Sequence, residues 1–186
     1  MTKVYCRELT TLVGSLILGA IGDKLCLCDW KDSKRRLQNA NRIKRLLKAE
    51  LVYIPSLQDE PKTLLEVNAL KDSIAVLDET ERELREYFAG KRESFDIPLL
   101  MVGTDFQKSV WRSLQDIPYG EVVTYMDIAL RIGNSQAVRA VSQAIGSNPL
   151  ALLVPCHRVV GSNGKLTGFA GGLDVKTQLL ELEQKA

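Results

Sequence analysis

The sequence predicts a chain in two parts, an α/β N-terminal half followed by a mostly α-helical C-terminal half that contains a helix-turn-helix. Three observations carry this reading. Residues 14–30, GSLILGAIGDKLCLCDW, are two short apolar runs split by turn material, as in a β-hairpin. A long segment with apolar residues at helical spacing then ends before Gly90, and beyond it come short helical patterns punctuated by capping residues and glycines. The composition is globular throughout, with 186 residues, 45% hydrophobic and 26% charged.

In the hairpin, Gly22-Asp23 supplies the turn, and Cys26 and Cys28 alternate with Leu25 and Leu27, which predicts both sulfurs on one strand face. The basic stretch KDSKRRLQNANRIKRLLK follows; Leu37, Ile43, Leu46 and Leu47 fit one helix side loosely, and its charge reads as a solvated face. Pro61 opens a long helix in which Leu70, Ile74, Leu77, Leu84 and Phe88 recur at helical spacing, and Gly90 is placed to stop it. The segment KRESFDIPLLMVGT connects the halves, so the boundary falls near Lys91, giving domains 1–90 and 91–186.

The second half opens with a helix from Thr104, an N-cap, through Phe106, Val110 and Leu114. Thr124 and Asp127 form a capping box ahead of Met126, Ile128, Ala129 and Leu130. That helix stops at Gly133-Asn134, and Ser135 is placed to cap the next, SQAVRAVSQAI, which Gly146 can close. There Val138, Val141 and Ile145 share one side, with Gln136, Arg139 and Gln143 away from it. Two short helices around a tight turn are common as plain structural units and also as groove-binding helix-turn-helix motifs. Residues 151–154 read as a strand ended by Pro155. Asn163-Gly164 turns the chain, and Gly168, Gly171 and Gly172 allow either tight turns or close approach of a ligand to the backbone. The last helix, DVKTQLLELEQ, is capped by Asp174.

The net charge of +2 neither demands nor excludes a nucleic-acid partner. No apolar run is long enough to span a membrane and the N-terminus lacks a secretory h-region, so a cytoplasmic protein with no membrane partner is expected. The four cysteines do not make a disulfide framework, and with one histidine in the chain no metal site is expected. That histidine, His157, follows Cys156 directly. A buried packing cysteine is one reading of the pair, and a thiolate tuned by neighbouring charge or by a base is the other.

Pro155-Cys156-His157-Arg158-Val159 resembles the active-site signature of the O6-alkylguanine-DNA alkyltransferases, also called methylated-DNA–protein-cysteine methyltransferases. The resemblance extends upstream through YGEVVTYMDIA, AVRAV and the Ser147-Asn148-Pro149 turn, and downstream through GFAGG and the final helix. It is close from Asp105 to Glu183 and looser before that. It implies a small N-terminal α/β domain with an RNase H-like sheet and helices, and a mostly helical C-terminal domain with a helix-turn-helix. The implied activity is direct-reversal DNA repair: irreversible, single-turnover transfer of an alkyl group from O6-alkylguanine, with O4-alkylthymine a second candidate, to the protein's own cysteine after nucleotide flipping.

Carried onto this chain, the resemblance makes Cys156 the nucleophile, with His157 relaying its proton through a water and Glu183 orienting His157. Tyr125 matches the tyrosine that rotates the phosphate and donates to the base, and Asn148 the buried asparagine that ties the turn to the active-site loop. Arg139 matches the arginine finger; Ala137 and Ala140 let the helix approach the minor groove closely, and Gln136 shares the DNA-facing side. Lys165, Leu166, Thr167, Gly168, Phe169 and Ala170 match the loop lining the guanine pocket, and Arg158 is either structural or a phosphate contact. Some relatives hold zinc through N-terminal cysteines and histidines, a set this chain lacks, so neither zinc nor another cofactor is expected. The implied partner is double-stranded DNA containing O6-alkylguanine, bound by a monomer through the minor groove. A lesion sensor without chemistry would carry tryptophan in place of Cys156. A cysteine hydrolase would need the thiol and imidazole in contact, which adjacent residues of an extended segment do not make.

Overall fold

The computed structural model describes residues 2–54 and 64–184. Four strands build the N-terminal sheet: β1 (Thr2–Thr11), β2 (Gly14–Ile21), β3 (Lys24–Trp30) and β4 (Ala49–Tyr53). Their order is β3-β2-β1-β4, antiparallel except for the parallel β1/β4 pair, which a crossover through α1 (Arg36–Leu47) makes possible. Helix α1 packs Ile43 on one sheet face with Val4, Cys6, Ile17 and Leu27. The long helix α2 (Leu64–Phe88) packs Leu77, Leu84 and Tyr87 on the other, with Tyr5, Leu9, Leu16 and Leu18. The predicted hairpin is present, with Gly22 at φ +54° in its turn.

One detail of the hairpin differs from expectation. Ala20 pairs with Leu25 and Gly19 with Leu27, so Cys26 is the extra residue of a β-bulge. The bulge breaks the two-residue alternation. Cys26 joins Leu27 on the α1 face, while Cys28 packs with Leu25 on the α2 face, and the two sulfurs do not share a side.

Pro61 lies outside the described residues. Gly90 ends α2 as predicted: at φ +68° it lets Lys91 N–H reach Glu86 O and its own N–H reach Tyr87 O, a Schellman arrangement. The α2-facing core then continues without a break into the second half, through Val110, Trp111, Leu114, Ile128, Val141, Ile145 and Leu179.

That half comprises α3 (Asp105–Gln115), α4 (Tyr125–Arg131), α5 (Val138–Gly146) and α6 (Leu173–Gln184), with a two-residue parallel pair of β5 (Val123–Thr124) and β6 (Val159–Val160). Both predicted caps form as reciprocal boxes, Thr104 with Gln107 and Thr124 with Asp127. Gly133, at φ +75°, closes α4 by a second Schellman arrangement. Three end assignments shift. Ser135 does not cap α5 but opens a 3-10 turn over Ser135–Ala137. Gly146 is the last helical residue, with Ser147 at the C-cap. Asp174 lies in the first turn of α6, where its charge still favours the helix dipole.

Residues 151–154 are not a strand. Cys28 N–H donates to Pro149 O and Ala151 N–H to Cys28 O, and the chain then folds into a tight turn with Leu152 at φ +72°. The apolar composition reflects complete burial rather than extension.

Candidate active site

The tight turn delivers Cys156 to the start of a 3-10 turn, Cys156–Arg158, packed against α6. The thiol and imidazole are therefore on a helical turn and not on the extended segment expected. Cys156 is 8% exposed and His157 0%, so of the two only the sulfur can meet a substrate directly.

Glu183, buried near the end of α6, organises what lies behind the sulfur. Its Oε1 takes His157 Nε2 at 2.7 Å, Tyr87 OH at 2.7 Å and Arg158 Nη2 at 3.0 Å; Oε2 takes Arg158 Nε at 2.9 Å and Gly120 N–H at 3.2 Å. Burial alone would raise its carboxyl, but the hydrogen bonds from His157 and Arg158 outweigh that and hold it at about 2. Burial also lowers His157, against the pull of Glu183, and keeps the imidazole neutral. With Nε2–H donated to Glu183, Nδ1 is the basic nitrogen; it is buried and has no hydrogen-bond partner among the described residues.

Arg158 is structural. Besides Glu183 it donates to Ile117 O at 2.6 Å and lies over the Tyr119 ring, so its charge serves the carboxylate rather than the thiol. The thiol itself is raised by burial, with the Asn148 hydrogen bond and the Lys176 charge pulling the other way. Lys176, 1% exposed, is the cation that favours the thiolate; its ammonium donates to Val159 O at 2.5 Å and Thr167 O at 3.1 Å.

Asn148 bridges the turn. Its Nδ2 donates to Val154 O at 2.8 Å and its Oδ1 accepts Leu150 N–H at 3.0 Å, which locks the backbone on both sides of Leu152. Asn39 of α1 reaches the Asn148 carbonyl at 3.5 Å and the buried Asp29 carboxylate at 2.8 Å.

A cleft of about 670 Å³ lies between elements of the two halves, and Cys156 is not among the residues that line it. Tyr125 and residues 167–172 form one wall, and Trp30, Ser33, Lys34 and Arg35 part of the other. Thr167 donates to Tyr125 OH at 3.1 Å, and the edge of Phe169 meets Trp30 at a centroid distance of 6.1 Å. Gly171 is required there, since a Cβ would sit 2.9 Å from the Trp30 indole. Of the predicted pocket residues, Thr167, Gly168, Phe169 and Ala170 line this cleft. Lys165 and Leu166 do not: they stand on the return arm of the Asn163-Gly164 turn, where Lys165 O accepts Gly161 N–H. On the helix pair, Gln136, Arg139 and Ala140 are exposed, and Ala137 is half-buried against the core.

Sequence reasoning missed Lys176, Tyr87 and Trp30. Lys176, Leu179 and Glu183 share one helical side, which marked the lysine as inward-facing; Tyr87 follows Leu84 on the core side of α2; the Trp30 contact crosses the chain and left no local signal. Among the described residues no three His, Cys, Asp or Glu side chains come together as a metal site, and no helix is long and apolar enough to cross a membrane.

Comparison with known proteins matches two family models. Residues 4–101 match the 6-O-methylguanine DNA methyltransferase ribonuclease-like domain, and residues 105–185 its DNA binding domain. A methylated-DNA–protein-cysteine methyltransferase of Methanosarcina barkeri is 58% identical over 106 residues, 57% of this chain and 67% of that protein. The crystal structure of Mycobacterium tuberculosis O6-methylguanine methyltransferase superposes with a TM-score of 0.75 at 35% identity, covering 98% of this chain and 93% of that one. A second structure from that organism, in complex with DNA, gives a TM-score of 0.74 at 35% identity over 97% of this chain and 93% of that one.

Proposed function

Because the chain belongs to the 6-O-methylguanine DNA methyltransferase family, we propose that it repairs O6-alkylguanine in DNA by moving the alkyl group onto Cys156, once per molecule. The observation that carries this reading is the buried Glu183–His157 pair, whose unpartnered Nδ1 belongs to the residue next to the thiol. Cys156 gives its proton through a water to His157 Nδ1, and Glu183 stabilises the imidazolium that forms. The sulfur attacks the alkyl carbon; the S–C bond forms as the C–O6 bond breaks, and the electron pair stays on the guanine. Tyr125 donates to the base and offsets that charge. The thioether has no leaving group that water displaces, so the protein is spent, and the atoms balance without a co-reactant.

The alkylated base lies inside the duplex stack and has to be turned out to reach the sulfur. We assign the exposed Arg139 to the vacancy left behind, and Gln136, Ala137 and Ala140 to the minor-groove surface of the helix pair, where small side chains permit close approach. Thr167, Gly168, Phe169 and Ala170 on the cleft wall receive the base, and Asn148 keeps the loop that carries the sulfur in place. Lys176 stabilises the thiolate as it forms. O4-alkylthymine is the second candidate substrate, the acting species is a cytoplasmic monomer, and the boundary between supporting and alkyl-accepting parts falls near Lys91.

The test is to incubate the folded protein with duplex DNA containing O6-methylguanine and measure its intact mass. Repair adds one methyl group per molecule on the peptide holding Cys156 and restores guanine. Binding without a change of mass would identify a lesion sensor and reject the transfer.

A further inference from the structure

Tyr87 belongs to α2, in the half of the chain that carries neither the thiol nor the helix pair, yet its hydroxyl donates to Glu183 Oε1 at 2.7 Å, the distance at which His157 Nε2 meets the same oxygen. The ring is held on several sides. Phe88 and Tyr119 meet it edge-on at centroid distances of 5.4 and 6.2 Å, and Phe95 packs against it at 5.5 Å. The Schellman stop at Gly90 fixes the helix end just beyond it. The hydroxyl is thus aimed by packing and is not free to turn away.

We propose that Tyr87 is a positioning residue for the His157 relay: by sharing Glu183 Oε1 with the imidazole, its hydroxyl sets how strongly Glu183 holds His157. This rests on the proposed role of the Glu183–His157 pair. A carboxylate oxygen that accepts from several donors divides its negative charge among them, so each additional donor weakens the rest. Oε1 serves Tyr87, His157 and Arg158 Nη2 together. Removing the Tyr87 donor leaves more charge for the imidazole, which shortens the His157 bond and makes Nδ1 more basic. The other groups in range are already committed: Arg158 acts on Tyr87, Glu183 and His157, Tyr119 on Tyr87, and Lys176 on His157. None of them is displaced when a phenol becomes a phenyl ring.

Tyr87→Phe keeps the ring and its aromatic contacts and deletes only the donor. His157 is the single histidine of the chain, so the imidazole nitrogens of uniformly 15N-labelled full-length protein report on it without ambiguity. In Tyr87→Phe the Nε2–H tautomer is retained, the Hε2 resonance moves downfield, and the imidazole titrates at higher pH than in the wild type. The acid limb of the pH dependence of methyl transfer to Cys156 moves with it, slowing transfer on that limb by about threefold or more, a fraction of what one whole hydrogen bond to a charged group is worth. Imidazole signals and a pH profile superimposable on the wild type, with a lowered unfolding midpoint alone, would reduce Tyr87 to packing and overturn the proposal. Glu183→Gln separates the two levels. If it moves both readouts and Tyr87→Phe moves neither, the relay stands and the inference about Tyr87 falls; if neither variant moves them, the relay itself is rejected.

Discussion

Glu183→Gln gives the sharpest energetic test of the site. In the folded chain the carboxyl is held at about 2, against 4.5 for the free side chain. The difference corresponds to about 3 kcal/mol of folding stability at neutral pH. The folded value is the depressed one, so the contribution is complete above pH 4.5 and is lost as pH falls from 4.5 through about 2. Glutamine loses the charge and puts an amide N–H₂ where one oxygen had accepted, facing either Arg158 Nε and the Gly120 N–H or the His157, Tyr87 and Arg158 Nη2 donors. Breaking a buried pair in this way costs roughly 3–5 kcal/mol elsewhere, in line with that figure. Urea unfolding at a series of pH values measures it. The expected result is a variant less stable by about 3 kcal/mol at pH 7, and a wild type that gives up that increment below pH 4.5 where the variant has none to lose. Burial also lowers His157, so the folded imidazole resists protonation and both proteins lose stability as the unfolded chain takes up that proton below about pH 6.5. A gap under about 1 kcal/mol at pH 7 would mean that the hydrogen bonds to Glu183 do not hold it as described.

Two further substitutions probe the chemistry. Arg139→Ala is expected to slow repair in duplex DNA more than reaction with free O6-methylguanine, because the free base leaves no stack to fill; equal losses on both substrates would reject the finger assignment. Lys176→Met removes the buried ammonium that favours the thiolate, so alkylation of Cys156 by iodoacetamide should move to higher pH and slow at neutral pH by roughly tenfold. An unchanged pH dependence would show that the lysine only ties Val159 to Thr167.

Much of this molecule is legible locally. Thr104 with Gln107 and Thr124 with Asp127 announce helix starts because a cap is satisfied within four residues, and Gly22, Gly90 and Gly133 announce turns because each takes a positive φ. The misreadings have a common origin in contacts between distant residues. The segment 151–154 is apolar and reads as a strand, but Asn148 and Cys28 bend it into a turn. Strand β1 escapes the alternation test because Val4, Tyr5 and Cys6 are buried on both faces in succession and the polar Arg7 and Glu8 follow as neighbours, so no two-residue period shows. The charges around Cys156 were equally out of reach: adjacency suggests that Arg158 acts on the thiol, whereas the guanidinium is turned to Glu183 and the cation that favours the thiolate comes from α6.

The N-terminal half therefore does more than shield a core. Leu152 sits at φ +72°, a conformation costing a branched side chain about 1–3 kcal/mol, which persists only where surrounding bonds fix the backbone. Part of that fixation comes from the other half of the chain: Cys28 pairs with the backbone of Pro149 and Ala151, and Asn39, bonded to Asp29, reaches the carbonyl of Asn148. Trp30 presses on Gly171 at the cleft wall, and Tyr87 meets the carboxylate behind the imidazole. These contacts reach the turn that precedes Cys156, the cleft wall and the Glu183 carboxylate, and they issue from β3, α1 and α2 separately. The backbone that presents Cys156 is thus fixed from both halves of the chain.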